Sequence, residues 1–263
     1  MNGPSHGPKP SDPDRACATR LAQQIVSFGR GSVRQVIMIG SRAKGTARPD
    51  SDLDLVVIVE RPAEEKPWGG DEFTRAAESL RHALGPQNAR LDISVRTIDR
   101  YAEARDVPGG AEYPAAHGGY VLFEAPPTRA PVVRTAPENV RREFVSSWVH
   151  HALLAIESFT THSQRPIASV ARMAVERLVT ALLIHHKVAP EPFAEVVEFA
   201  WRIPQPQAKS IGVALASRLE AGALTPASTM REARAVLSYL MRDPLQARVL
   251  RKAQERLANA ERA

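Results

Sequence analysis

Between Gly40 and Asp54 the chain reads GSRAKGTARPDSDLD, a stretch composed largely of residue types that phosphate and metal chemistry use. A largely apolar run, Gln35-Val36-Ile37-Met38-Ile39, ends in Gly40-Ser41. After ten intervening residues Asp52 and Asp54 open a second run, Leu55-Val56-Val57-Ile58-Val59. Residues two apart on a strand point to the same side, so Asp52 and Asp54 are expected to project together. Two adjacent carboxylates repel, and a hard divalent cation such as Mg²⁺ relieves that repulsion while completing its shell with water and substrate phosphates. Gly40 lets the backbone approach a phosphate closely, and the Ser41 hydroxyl and following amides can hold it. The plainer alternative for the same residues is a Gly-, Pro-, Asp- and Ser-rich turn between two core strands.

The next strand carries a third acid. Arg90-Leu91-Asp92-Ile93-Ser94-Val95 alternates polar and apolar residues, which puts Leu91, Ile93 and Val95 toward a core and Asp92 with Ser94 on the opposite face.

The pattern Gly-Ser, ten residues, Asp-x-Asp, together with GSRAKG and DSDLDL, resembles the signature of the DNA polymerase β-like nucleotidyltransferase superfamily. The resemblance covers roughly residues 15 to 125. It implies nucleotidyl transfer from a nucleoside triphosphate, ATP first among them, onto a hydroxyl of a small molecule or a protein. Asp52, Asp54 and Asp92 are the implied catalytic and metal-binding residues, holding two Mg²⁺ ions, with Mn²⁺ as a substitute. The resemblance also implies that Asp92 can help to deprotonate the attacking hydroxyl. Gly40, Ser41, Arg42 and Lys44 are the implied nucleotide-binding residues, the last two set against the leaving pyrophosphate. The alternative is a non-catalytic nucleotide- or partner-binding module of a toxin–antitoxin-like system, against which the retention of all three acids counts.

The elements that must position these residues follow from pattern. Residues 1 to 11 are rich in Pro, Gly and Ser and are expected to be disordered. The nucleotidyltransferase domain that the resemblance implies is expected to span 12 to 125: a helix to about Phe28 capped by Asp12 or Asp14, strands at 35–39, 53–59 and 90–96, a helix at 71–84, a short helix at 98–104, a loop at 107–119 and a last strand at 119–124. Pro126, Pro127 and Pro131 mark a linker, 126–136, whose rigidity keeps two domains apart. From 137 to 263 only helical spacing is present, at 138–160, 167–187, 192–203, 208–221, 228–240 and 244–260. The fold class expected is an α/β (α+β) domain with a small mixed sheet, followed by an all-α bundle.

That order of domains is similar to the kanamycin nucleotidyltransferase family and to paired nucleotidyltransferase–HEPN systems. The ribonuclease form of HEPN carries Arg, four to six residues, then His. Here seven residues separate Arg142 from His150, and likewise Arg177 from His185, which speaks against ribonuclease activity. The adjacent pairs His150-His151 and His185-His186 lack the i, i+4 spacing of paired metal ligands and read as helix-boundary or partly buried histidines. Glu138, Glu143 and Glu157 are general-base candidates by position only. Trp68, Trp148 and Trp201 could stack on a base, with packing the better reading for the last two.

Composition narrows the classes further. Residues 1–130 carry 17 Lys+Arg and 17 Asp+Glu, residues 131–263 carry 18 and 12, so the net charge of +6 lies wholly in the second half. These arginines are scattered along helices without aromatic interleaving, which disfavours a nucleic-acid partner and suits a solvated face. The lone Cys17 excludes an internal disulfide and fits a reducing compartment. With no apolar run of membrane-spanning length and no apolar leader, a cytoplasmic protein without a membrane partner is expected.

Overall fold

The computed structural model describes residues 10–29, 31–60, 78, 82, 90–161, 167–189, 196–223 and 225–260. The expected helix at 71–84 apart from its residues 78 and 82, both helical, the loop at 62–70 with Trp68, the tail at 1–9 and the start of the helix expected at 192 lie outside these residues. The chain divides into two compact units, Met1–Ala136 and Pro137–Ala263.

The first unit is built on a four-stranded mixed sheet: β1 (Val33–Ile39), β2 (Leu53–Val59), β3 (Leu91–Thr97) and β4 (Tyr120–Glu124), in the order β3-β2-β1-β4. β1 runs antiparallel to both β2 and β4, while β2 and β3 are parallel. Strand alternation gives the sheet two apolar faces. On one, Val36, Met38, Leu55, Val57, Ile93 and Val95 bury Leu21 and Ile25 of helix α1 (Asp12–Phe28). On the other, Ile37, Val56 and Ile58 pack with Ile98 and Ala115, from helices α3 (Ile98–Ala104) and α4 (Glu112–Gly118). A short helix, α2 (Gly40–Lys44), follows β1 directly.

Several local expectations change. The N-cap of α1 is Ser11, whose hydroxyl accepts from the Asp14 N–H, while Asp12 and Asp14 lie in the first turn, where negative charge is favoured. The stretch expected as a loop at 107–119 contains α4. Its Pro114 falls in the first helical turn, where the missing N–H leaves no ladder bond unmade. Gly119 follows because a Cβ there would stand 2.4 Å from Ile37 Cγ2 and 2.7 Å from the Ala115 carbonyl oxygen.

The Pro-rich segment after β4 is fastened to the first unit. Buried Glu60, just past β2, accepts from Thr128 Oγ1 (2.6 Å), Thr128 N (2.9 Å) and Arg129 N (2.9 Å), and pairs with Arg34. Asp99 takes both Arg129 Nη atoms (2.8 and 2.7 Å) and Val132 N (2.7 Å). Glu103 accepts from Arg134 N (2.9 Å) and Thr135 N (3.0 Å). Proline stiffness is thus only part of what orders this segment.

The second unit is helical: α5 (Pro137–Thr161), α6 (Ile167–His185), α7 (Val196–Trp201), α8 (Pro206–Glu220), α9 (Pro226–Leu240) and α10 (Pro244–Ala260). Proline opens four of them, a position where its fixed φ is already helical. One core unites them, with Leu153, Ile156, Leu178, Leu182, Ile203, Leu215, Val236, Leu240 and Leu250 buried. Trp148 packs against this core, but Trp201 is 58% exposed, with the Lys209 ammonium 6.0 Å from its ring centre. Among the described residues no helix is long and apolar enough to cross a membrane.

Candidate active site

The end of β1, the start of β2 and the start of β3 meet at one edge of the sheet. Ile39 is the register partner of Asp54, and Asp54 is the register partner of Asp92. Register partners on adjacent strands share a face, and such strands lie about 4.8 Å apart, so Asp54 and Asp92 are neighbours across the ladder. That face is the one carrying Val56 and Ile58, opposite the face that buries Leu55, Val57, Ile93 and Val95 against α1. Asp52 precedes β2 by one residue and is exposed, as is Asp92, whereas Asp54 is half-buried.

Gly40 closes against this carboxylate. Its φ is +76°, in the left-handed region, and a Cβ built on it would stand 2.4 Å from Asp54 Oδ2. A side chain at position 40 would therefore be strained by the backbone and would displace the acid. Ser41 follows, 3% exposed, its Oγ buried and without a hydrogen-bond partner among the described residues. Buried hydroxyls are nearly always paired, and an acceptor atom within reach of this one would complete its bonding. Gly45, at φ +70°, ends α2 and turns the chain toward the loop that carries Asp50 and Asp52.

The electrostatics agree with the register. Asp54 is pushed up to about 6, first by burial, then by the charges of Asp92 and Asp52, with Arg42 opposing. Asp52 and Asp92 thus both act on Asp54, and Arg42 opposes without cancelling the upward shift. Among the described residues no group of three His, Cys, Asp or Glu side chains is closed around a single ion-sized point. The fit to a divalent cation therefore rests on donor chemistry. Three carboxylates on adjoining backbone, all hard oxygen donors with excess negative charge, are what Mg²⁺ or Mn²⁺ takes.

The two cations expected at the phosphates differ in their surroundings. Arg42 commits all three guanidinium nitrogens: Nη1 pairs with Asp14, while Nε and Nη2 donate to the Ser51 carbonyl at 3.1 and 2.7 Å. Its side chain braces the loop rather than standing free for pyrophosphate. Lys44 is half-buried, and no hydrogen bond or ion pair engages its ammonium among the described residues. Asp14, read from sequence only as a helix cap, and Ser51, not singled out from sequence, are the partners that hold Arg42. Nothing in a helix-opening aspartate announces that an arginine 28 residues later will take it.

In the second unit His186 Nε2 lies 2.9 Å from Tyr239 Oη, and His185 stacks edge-on with His186. His185 is lowered to about 4, mainly by burial. His150 and His151 are exposed. Glu138 pairs with Arg141 and with Lys187 (3.0 Å).

Comparison with known proteins bears on the first unit. The profile of the nucleotidyltransferase domain family matches residues 20–103, about a third of the chain, a span that includes Gly40, Ser41 and all three acids. The crystal structure of spectinomycin adenyltransferase AAD(9) from Enterococcus faecialis, with ATP and spectinomycin, is similar at a TM-score of 0.38 and 13% sequence identity, over 92% of this chain and 99% of that one. No curated protein matches the chain.

Proposed function

We propose that the nucleotidyltransferase domain at residues 20–103 moves a nucleoside monophosphate, AMP from ATP in the first instance, onto an acceptor hydroxyl and releases pyrophosphate. The observation that carries this is the three-strand juxtaposition of Gly40, Asp54 and Asp92, with the unsatisfied Ser41 hydroxyl beside it. Gly40 and Ser41 hold the β- and γ-phosphates, the first by leaving room for them and the second by donating its free hydroxyl. Lys44 neutralises charge on the departing pyrophosphate. Asp52, Asp54 and Asp92 would hold two divalent cations, Mg²⁺ or Mn²⁺, which supply electrostatic stabilisation of the attacking and leaving oxygens of an in-line displacement. Asp92, exposed on β3, accepts the proton of the attacking hydroxyl.

The acceptor is a small-molecule or protein hydroxyl. Incubating the full chain with each α-labelled nucleoside triphosphate and Mg²⁺, alone and with a panel of hydroxylated small molecules including aminocyclitols, tests the proposal. Label on the protein identifies a protein hydroxyl, and label on a panel member identifies a small-molecule acceptor. Bound but unreacted triphosphate under every condition would favour the non-catalytic module instead.

A further inference from the structure

Asp52 is the acid whose placement is least explained by the fold. β2 begins at Leu53, so no strand ladder holds Asp52, and it follows the loop from Thr46 to Ser51. That loop is tethered on one side by Leu53 N donating to Arg90 O at 2.7 Å. Arg90 Nη1 also donates to the Pro49 carbonyl at 3.2 Å, and Arg42 donates twice to the carbonyl of Ser51, the residue immediately before Asp52. Arg42 is itself held by Asp14, whose other oxygen accepts from Ser11 Oγ at 2.7 Å. A continuous chain of polar contacts therefore runs from the cap of α1 through Asp14 and Arg42 to the backbone of Asp52.

Burial makes this chain firm. The Arg42 and Asp14 side chains are only 21% and 16% exposed, so water replaces their contacts poorly. Arg42 also acts on the Asp54 charge through space. An arginine whose charge acts on Asp54 competes with a metal ion there unless something else occupies it. Asp14 and the Ser51 carbonyl are what occupy it here.

We propose that Asp14 and Arg42 are positioning residues of the nucleotidyl-transfer site. Arg42 fixes the peptide that carries Asp52, and Asp14 keeps the guanidinium from collapsing onto Asp52 and Asp54. The inference rests on the nucleotidyl-transfer proposal above and extends it to the N-terminal helix, whose Asp14 lies outside the matched residues 20–103.

The test uses the full chain and Mn²⁺ as the probe, with hydrogen exchange over residues 46–53 as a second readout. Asp14→Asn and Arg42→Ala are expected to weaken Mn²⁺ binding about 10–100-fold, the usual cost of losing an outer partner of a metal ligand. Both are expected to speed exchange in 46–53 while the global melting temperature moves little. Asp14→Glu restores binding, whereas Arg42→Lys does not, because one ammonium cannot span Asp14 and Ser51. If Asp14→Asn unfolds, Asp14→Glu against Arg42→Lys still separates the outcomes. A wild-type chain that binds no Mn²⁺ overturns the nucleotidyl-transfer proposal and this inference with it. A wild type that binds, with Asp14→Asn and Arg42→Ala binding equally well or unchanged in exchange, overturns the positioning role alone.

Discussion

In the proposed site Asp54 would meet two opposing demands: holding a cation would need it ionised, yet burial and two neighbouring acids resist its ionisation. Its folded value, about 6 against the ordinary 3.8, is raised, so the folded chain keeps a proton between these values that the unfolded chain has released. Without divalent ions, this residue's contribution to stability therefore falls as pH rises from about 4 through about 6. Asp54→Asn is expected to melt a few degrees above wild type at pH 7.5 in chelator, to lose that pH dependence, and to gain nothing from added Mg²⁺, whereas wild type gains. Thermal melts across pH with and without Mg²⁺ check this, and a less stable Asn variant in chelator would contradict it. Gly40→Ala tests the turn: the left-handed backbone costs roughly 1–2 kcal/mol and the new Cβ pushes on Asp54 Oδ2, so transfer should fall further than stability.

At the scale of elements, some of this was readable from residues and some was not. The alternation in 91–97 placed Asp92 opposite Leu91, Ile93 and Val95 because a half-buried strand writes its orientation into every second residue. The antiparallel and parallel partners of β2, which bring Gly40 and Asp92 to Asp54, are not written in any local stretch. Helix α4 was hidden because Gly109, Gly110 and Pro114 are loop signals, and only packing of Ala115 under Ile37 and Val56 favours the helix. Partners far apart in sequence were also invisible, among them Asp14 with Arg42 and Glu60 with Thr128 and Arg129. Glu60 makes its own prediction. Burial alone would raise it, but hydrogen bonds from Thr128 and Arg34 outweigh that and hold it at about 2 against the ordinary 4.5. Its stabilisation is present above pH 4.5 and is lost as pH falls through about 2. Glu60→Gln should lower the melting temperature by several degrees at neutral pH and free the 126–136 segment to limited proteolysis. Unchanged melting and cleavage would show that Glu60 does not fasten the segment.

For the molecule as a whole, two separate cores predict two folding units. The helical unit buries Leu153, Leu178, Leu182, Val236 and Leu250 among its own helices and has no need of the sheet for them. A fragment of residues 137–263 is expected to be helical and to unfold cooperatively, checked by circular dichroism during a thermal melt; a gradual, non-cooperative loss of ellipticity would contradict it. Helical spacing in this half was enough to predict its helices to within about two residues at the described ends, missing the starts at Pro206 and Pro226, because local periodicity is most of what such a bundle requires. Its chemistry was not so readable, since the positive excess there is spread over many helices rather than gathered on a motif.

The central claim is that Asp52, Asp54 and Asp92 act together on divalent cations beside the Gly40-Ser41 turn, and direct cation binding tests it before any acceptor is known. Mn²⁺ titrated into the full chain with a non-hydrolysable ATP analogue, followed by electron paramagnetic resonance, is predicted to show tight binding that Asp92→Asn weakens and Asp54→Asn removes. Binding indistinguishable among wild type, Asp54→Asn and Asp92→Asn would contradict the account.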